Sequence, residues 1–246
     1  MSKPSEDQLK QEIRVRVWRR LEESGLALFP KPVHGRIPNF RGAEEAAERL
    51  TMLKEYRDAE FVKVNPDSPQ KHVRRRVLED GKVLIFPTPR ISQGFILLEP
   101  RRIPESNIRE AATIAGAFKH GVKTHPKRLP KIDFIVAGSV AVSLDGWRVG
   151  KGEGYSEIEY ALLRMMGKVD AETPVATTVH EIQVVDHVPR LPFDLPVDVI
   201  CTNTRTIRCP KNRKPERIYW SFLPEEKIKA IPLLAELRED ASSAKA

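Results

Sequence analysis

With 246 residues, of which 40% are hydrophobic and 31% charged, the chain is long enough to bury one full core and too hydrophobic for a disordered protein. No apolar run approaches the ~20 residues that cross a bilayer, and no signal-peptide pattern opens the chain, so we expect a cytosolic protein. The two cysteines, Cys201 and Cys209, are too few for a disulfide framework, and we expect both to be reduced thiols. The net charge of +8 favours anionic partners, and nucleotides, phosphorylated substrates and nucleic acids all meet that condition.

The first strong pattern runs from Asp7 to Gly25 and predicts an amphipathic helix. Its apolar stripe repeats every fourth residue, at Leu9, Ile13, Val17 and Leu21. Lys10 and Arg14 lie off this stripe, one turn apart on the same face, where they can bind a phosphate together; a solvated basic face is the alternative. Residues 26–40 contain three prolines and predict an ordered loop, and residues 42–53 predict a second helix.

Strand and helix patterns then alternate. Residues 61–64 and 83–86 predict strands on either side of a helix over 70–79, which makes a β-α-β unit. A further strand is predicted at 94–98 and a helix over 107–120, which closes at a glycine.

A near-continuous β-branched run at 132–143 predicts a strand that is covered on both faces, as in parallel sheets, and that leads into a glycine-rich turn. Beyond the turn, the patterns predict a helix at 157–166, strands at 175–185 and 197–202, and a surface helix at 224–237. The alternation predicts an α/β fold with a mostly parallel open sheet flanked by helices.

We interpret residues 1–246 as a single domain. It consists of an N-terminal helical and proline-rich segment at 1–53, an α/β core at 54–223, and a C-terminal helix and tail at 224–246.

The glycine-rich segment 148–155 carries the strongest chemical signal. Bound phosphate needs backbone N–H groups that converge on one point, and glycine gives the chain that freedom. Four glycines supply it, at Gly146, Gly150, Gly152 and Gly154. Placed between a strand and a helix, with Arg148 and Lys151 inside, the segment predicts a phosphate-binding turn for ATP. The alternative is a tight connection without a ligand, since the segment is neither a Walker A sequence nor a G-x-G-x-x-G fingerprint.

Three separated motifs resemble the 5-formyltetrahydrofolate cyclo-ligase (methenyltetrahydrofolate synthetase) family. Residues 148–157, Arg-Val-Gly-Lys-Gly-Glu-Gly-Tyr-Ser-Glu, are similar to its arginine and glycine-rich signature. Lys10 and Arg14 match its Lys-x-x-x-Arg ATP contact, and residues 193–198 resemble its late His-Asp-x-x-x-Asp segment. The block 25–53 resembles the archaeal branch of the family and its eukaryotic domain-containing branch.

The resemblance implies a sheet of the NagB/RpiA/CoA-transferase type, with the nucleotide at the carboxyl ends of the strands. It also implies ATP-dependent cyclisation of 5-formyltetrahydrofolate, or a close pterin analogue, to 5,10-methenyltetrahydrofolate with release of ADP and phosphate. The residues that it places around ATP are Lys10, Arg14, Arg148, Gly150, Lys151, Gly152, Gly154, Tyr155 and Ser156. Arg148 and Lys151 become the catalytic cations, and Glu157 and Asp198 the Mg²⁺ ligands.

The sequence departs from the family pattern at several points. The usual Tyr-Tyr-Asp after the last glycine is Tyr155, Ser156 and Glu157, and Lys151 and Glu153 stand where Arg and Lys are common. No glutamate matches the folate-contacting one, which is expected near residues 65–69.

A non-catalytic ATP- or RNA-binding protein on the same fold is the alternative hypothesis. The basic runs at 74–76 and 205–217 would contact RNA in that case, and would otherwise form a solvated face. Other candidates for the cleft, each with a structural alternative, are His34, Arg36, Trp147, His180 and Glu181. The oligomeric state is left open.

Overall fold

The computed structural model describes residues 4–243, with side chains up to residue 238. Its helices are α1 (Glu6–Glu23), α2 (Ala43–Thr51), α3 (Lys54–Asp58), α4 (Lys71–Glu79), α5 (Ile108–Ala111), α6 (Ile114–His120), α7 (Tyr155–Met165), α8 (Glu225–Ala230) and α9 (Pro232–Ser243). Within the described part of the chain, no helix is both long enough and apolar enough to span a membrane.

The strands are β1 (Phe61–Val64), β2 (Val83–Pro87), β3 (Phe95–Leu98), β4 (Val122–Thr124), β5 (Phe134–Val136), β6 (Ala141–Ser143), β7 (Arg148–Val149), β8 (Val175–Val179), β9 (Val184–Val185), β10 (Val199–Thr202) and β11 (Thr206–Arg208). Eight of them form one sheet in the order β11-β10-β8-β5-β1-β2-β3-β4. The five strands from β10 to β2 are parallel, and β11, β3 and β4 add antiparallel edges. This confirms the predicted mostly parallel sheet.

A second sheet of three strands, in the order β7-β6-β9, stands beside the first. The β-branched run at 132–143 therefore divides between two sheets, and the prediction of one strand there was wrong. The chain leaves the large sheet after β5 at Gly138, where an added Cβ would lie 3.1 Å from the Asp67 carboxylate. The glycine-rich segment 148–155 consequently begins in β7, an antiparallel strand of the small sheet, and does not follow a strand of the parallel sheet.

Both faces of the large sheet are covered because alternate residues of each central strand point to opposite sides. On one face, Ile85 packs with residues of α7, α8 and α9; on the other, Leu84 and Phe86 pack with residues of α2, α4 and α5. The prediction of one surface helix at 224–237 was wrong. The segment forms two helices, α8 and α9, and Ile231 between them is buried in the same hydrophobic cluster as Ile85.

Other predicted elements are interrupted by local capping. The helix predicted over 107–120 breaks into α5 and α6 at Thr113, whose side chain accepts a hydrogen bond from Gly116 N. The strand predicted over 175–185 breaks into β8 and β9 around a 3-10 turn at Glu181–Gln183. Cys201 and Cys209 are unbridged thiols, as expected.

Helix α1 packs on the small sheet and not on the large one. Its buried Val17 and Leu21 belong to a cluster with Val140, Ala141 and Val149 from β6, β7 and the segment before β6. This packing sets the basic face of α1 beside the turn that follows β7, which is where the candidate site lies.

Candidate functional site

The centre of the site is the glycine loop, residues 150–154, between β7 and α7. Gly152 and Gly154 have φ angles of 101° and 70°, which side chains with a Cβ rarely adopt. Gly154 is the N-cap residue of α7, and no side chain caps that helix. The first-turn amides of α7 are therefore available to an anion, in the field of the positive end of the helix dipole.

Helix α1 reaches the glycine loop directly. Arg14 donates from Nε to the carbonyl oxygen of Gly150 at 2.8 Å, and a Cβ on Gly152 would lie 3.4 Å from Arg14 Cζ. Lys10, one turn earlier, is buried and forms an ion pair with Asp194. Burial lowers the pKa of Arg14, although Asp7, Glu157 and Asp194 oppose the change. Since the ordinary pKa of arginine is so high, Arg14 stays charged at neutral pH.

Arg148 lies in β7 and is buried beneath the loop. It donates from Nη1 to the carbonyl oxygen of Gly138 at 3.0 Å, and Nη2 forms an ion pair with Glu157. The Nε donor has no hydrogen-bond partner among the described residues. A buried charged group with an unsatisfied donor costs free energy, and the negative charge of an anion in the adjoining cavity would offset part of that cost.

Two cavities in the described part of the chain adjoin the glycine loop. The first, of about 190 Å³, lies between the loop, α1 and the C-terminal segment. Its basic lining residues are Lys10, Arg14, Arg148, Arg217 and Lys227. Its apolar lining residues include Ile158, Ala161, Phe193, Ile218, Tyr219, Phe222 and Leu223. A cavity lined by both cations and aromatic rings suits a nucleotide, whose phosphates and base need these two kinds of contact.

The second cavity, of about 310 Å³, lies on the other side of the loop. Asp67, Lys151, Arg36 and Arg90 are among its lining residues. The Asp67 side chain is only 16% exposed, and burial raises its pKa against the opposing effect of Lys151 and two further cations. Lys151 Nζ lies 3.9 Å from Asp67 Oδ1 and 2.9 Å from Glu153 Oε2.

A buried polar network supports the second cavity from below. Lys63 on β1 forms an ion pair with Glu159 on α7 and donates to Asn65 Oδ1 at 2.6 Å. Asn65 Nδ2 donates in turn to Ser156 Oγ at 2.7 Å. Burial raises the pKa of Glu159, and the charge of Lys63 opposes the rise. The network ties the end of β1 to the first turn of α7.

The predicted site residues divide between the two cavities. Those that line the first are Lys10, Arg14, Arg148, Gly150, Gly152 and Gly154. The second cavity alone is lined by Lys151, Tyr155 and Ser156, which lie on the other side of the loop from Lys10, Arg14 and Arg148. Glu157 lines both.

The structure places Asp198 away from the metal site that was predicted for it. It precedes β10 at the amino end of the sheet, where its carboxylate accepts from Val175 N at 2.8 Å and pairs with Lys214 at 2.7 Å. It lines neither cavity, so the structure does not bring it to Glu157. The first aspartate of the same segment, Asp194, lines the first cavity instead, where burial raises its pKa against the effect of Lys10.

Four of the five further candidates for the cleft lie outside both cavities. Trp147 packs under Arg190, and His34 contacts Glu22. His180 accepts a hydrogen bond from Ile182 N, and Glu181 accepts one from Thr202 Oγ1. Arg36 does line the second cavity.

The basic run at 74–76 is held by contacts within the protein. Arg74 is buried and donates to three backbone carbonyl groups, those of Asn65, Asp67 and Ala112. Arg75 and Arg76 form ion pairs with glutamates of α2 and α4, namely Glu44, Glu48 and Glu79. The run is therefore a poor surface for RNA.

Sequence reasoning missed Lys63, Glu159, Asp67 and Asp194. The signal for the first two is a charged residue inside an otherwise apolar pattern: Lys63 interrupts a buried strand, and Glu159 stands on the buried face of α7. Charged residues of that kind are almost never fully buried without a partner.

The donors around the loop fit a magnesium ion that is carried by a nucleotide. Among the described residues, no group of three or more His, Cys, Asp or Glu side chains could hold a metal by itself. Mg²⁺ in nucleotide sites, however, takes one or two carboxylates together with phosphate oxygens. Glu157 and Asp194, which line the first cavity, are carboxylates of this kind.

The model of the 5-formyltetrahydrofolate cyclo-ligase family matches residues 6–203. Methenyltetrahydrofolate synthase domain-containing proteins are similar over most of this chain: that of Bos taurus is 43% identical over 240 residues, 96% of this chain, and that of Mus musculus 45% identical over 235 residues, 94% of this chain. The chain spans 63% of the length of both relatives. These relatives are animal proteins and give no support to the predicted archaeal branch.

Among solved structures, 5,10-methenyltetrahydrofolate synthetase from Aquifex aeolicus superposes with a TM-score of 0.53 at 23% identity, over 86% of this chain and 98% of that one. This similarity supports the fold. The matched family model covers helix α1, which carries Lys10 and Arg14, and it also covers the glycine loop. The chain therefore belongs to the 5-formyltetrahydrofolate cyclo-ligase family.

Proposed function

We propose that this domain catalyses the ATP-dependent cyclisation of 5-formyltetrahydrofolate, or a close pterin analogue, to 5,10-methenyltetrahydrofolate, with release of ADP and phosphate. The observation that carries the proposal is that two cavities of different character meet at the glycine loop and share Gly150, Glu153, Gly154 and Glu157. A phosphoryl group passing between two substrates needs such adjoining sites, because the reacting atoms must be held close together and in line.

In this mechanism the first cavity binds ATP. The glycine-loop amides and the start of α7, with Arg14 and Arg148, bind the triphosphate. The formyl oxygen of the folate approaches the γ-phosphorus from the second cavity, and an oxygen–phosphorus bond forms as the bond to ADP breaks. Arg148 and Lys151 neutralise the charge on the transferred group. N10 then attacks the activated formyl carbon, loses its proton and expels phosphate, which closes the ring.

Glu157 is the proposed Mg²⁺ ligand because it lines both cavities and carries the hard oxygen donors that the ion prefers. The metal supplies charge neutralisation at the phosphates. The ion pair with Arg148 fixes the orientation of the Glu157 carboxylate.

Asp67 is the proposed pterin contact in the second cavity. A pterin presents adjacent N–H donors, which a carboxylate accepts, and Asp67 lies where the family's folate-contacting glutamate was expected. Arg36 and Arg90 line the same cavity and suit the carboxylates of the glutamate end of the substrate.

The direct test is to mix the purified domain with ATP, Mg²⁺ and 5-formyltetrahydrofolate. We expect methenyl absorbance to appear together with ADP. Intact ATP binding without turnover would reject the folate chemistry and leave the nucleotide site. RNA binding that is sensitive to salt and survives Arg148→Ala, in a protein that does not bind ATP, would favour the RNA-binding alternative.

Asp67→Asn is expected to stabilise the fold at neutral pH and to raise KM for the folate. Burial raises the folded-state pKa of Asp67, so the stabilisation that its protonated form provides is present at low pH and is lost as pH rises through that pKa. The variant should therefore be more stable than the wild type at pH 7 and similar to it near pH 4 in urea unfolding.

The loss of a charged acceptor in the same variant should raise KM for the folate by about 10- to 100-fold, with KM for ATP unchanged. Asp58→Asn, on the surface, is the control and should change neither quantity. If the variant has the wild-type KM for the folate, Asp67 does not contact the substrate.

A further inference from the structure

A wall of the first cavity comes from a part of the chain that the family model does not match. The match ends at residue 203, whereas the C-terminal strap, residues 217–227, contributes several of the residues that line the cavity. These include Tyr219, Phe222, Leu223 and Lys227. The motifs that carry the family resemblance therefore describe only one side of this cavity.

The strap is fixed at both ends. Ile218 is buried in the core and its amide donates to Met165 Sδ of α7 at 3.4 Å. Ile228 and Ile231, just beyond the other end, are buried in the same hydrophobic cluster. The residues between these anchors consequently hold a defined position over α7.

The middle of the strap presents aromatic rings to the cavity. The ring of Phe222 lies 5.1 Å from that of Phe193, centroid to centroid, with 59° between the planes. The ammonium group of Lys10 lies 5.9 Å from the centroid of Phe193, so these rings lie beside one of the basic residues that line the cavity. Phe222 is 52% exposed, so part of its ring is in contact with water beside the cavity. A planar base that stacked here would cover apolar surface that is now in contact with water.

The far end of the strap holds the glycine loop. Lys227 donates from Nζ to the carbonyl oxygen of Glu153 and lies 5.1 Å from the centroid of the Tyr155 ring. Burial lowers the pKa of Lys227, while Glu153 and Glu157 oppose the change. One short segment therefore contacts both an aromatic residue of the cavity, Phe193, and the glycine loop.

We propose that the strap completes the nucleotide site: Tyr219 and Phe222, together with Phe193, bind the base of a purine nucleoside triphosphate, and Lys227 positions the glycine loop. The inference rests on the proposed function for the presence of a nucleotide in the first cavity. It extends that function by assigning base recognition to residues outside the matched part of the chain.

The test measures the binding of two probes to the full chain by titration calorimetry: ATP, and inorganic tripolyphosphate, which has no base. Phe222→Ala and Tyr219→Ala should each weaken ATP binding by about 10-fold and leave tripolyphosphate binding unchanged, because only the base is affected. Arg14→Ala should weaken the binding of both probes. Lys229→Ala, an exposed lysine two residues beyond Lys227, is the control and should change neither.

Lys227 requires a separate measurement because it acts through the loop. Lys227→Met should weaken the binding of both probes by about 5-fold, and Lys227→Arg should restore most of it, with the melting temperature of both variants close to that of the wild type. A purely structural lysine would instead lower the melting temperature in both variants.

The outcomes separate the two proposals. If the wild type binds ATP and both aromatic variants bind it equally well, the proposed base site is wrong and the proposed function still stands. ATP binding no tighter than tripolyphosphate binding would also overturn the base site. Wild-type protein that binds neither probe would overturn both proposals.

Discussion

Arg148→Met is expected to lower kcat and kcat/KM for cyclisation by about 100- to 1,000-fold, the effect of removing one preorganised charge contact to a transition state. Arg148 is buried and fixed by Gly138 and Glu157, so it is already in position when charge develops on the transferred phosphoryl group. The binding of ATP should fall less than kcat, because Arg14 and the glycine-loop amides still hold the triphosphate. Steady-state kinetics and calorimetry on the same preparation measure both quantities.

Arg190→Met is the matched control. Arg190 is also an arginine paired with a carboxylate, that of Asp145, but it is exposed and lies outside both cavities. It should leave kcat within about 2-fold of the wild type, since surface substitutions away from such sites have small effects. A correctly folded Arg148→Met variant with near wild-type kcat would show that the guanidinium group takes no part in phosphoryl transfer.

The basic and glycine-rich half of the site was predictable because its signals are local. Gly152 and Gly154 stand out since only glycine adopts their backbone angles easily, and Lys10 and Arg14 stand out by their spacing on one helix face. What the sequence could not supply is the packing of α1 on the small sheet, which brings Arg14 to within hydrogen-bond distance of Gly150.

Other parts of the site depend on where the chain changes direction, and no short pattern records that. The run at 132–143 has uniform strand character, yet it leaves one sheet and enters another near Gly138. For the same reason, the resemblance assigned a metal to Asp198, although the chain carries Asp198 to the opposite end of the sheet from Glu157. The aromatic wall at 219–222 has no motif, and only the packing of its neighbours on α7 places it at the cavity.

Lys63→Met is expected to lower the free energy of unfolding by about 3–5 kcal/mol, the cost of leaving one member of a buried ion pair without its partner. Lys63 and Glu159 have side chains that are 3% and 4% exposed, so water cannot solvate the remaining carboxylate. Urea unfolding measures the loss. Lys54→Met is the control, because it removes the lysine of an exposed pair with Asp58 and should cause no measurable change.

The dependence on pH distinguishes electrostatic loss from a packing defect in Lys63→Met. Burial raises the pKa of Glu159 and Lys63 opposes that rise, so removing Lys63 raises the pKa further. A carboxyl group with a raised folded-state pKa stabilises the fold at low pH, and the stabilisation is lost as pH rises through that pKa. The variant should therefore be closer to the wild type at pH 5 than at pH 8, and adding Glu159→Leu should recover most of the stability. A deficit that is equal at both pH values and persists in the double variant would mean that Lys63 acts through its volume, and that the charge pair below the second cavity contributes little to the fold.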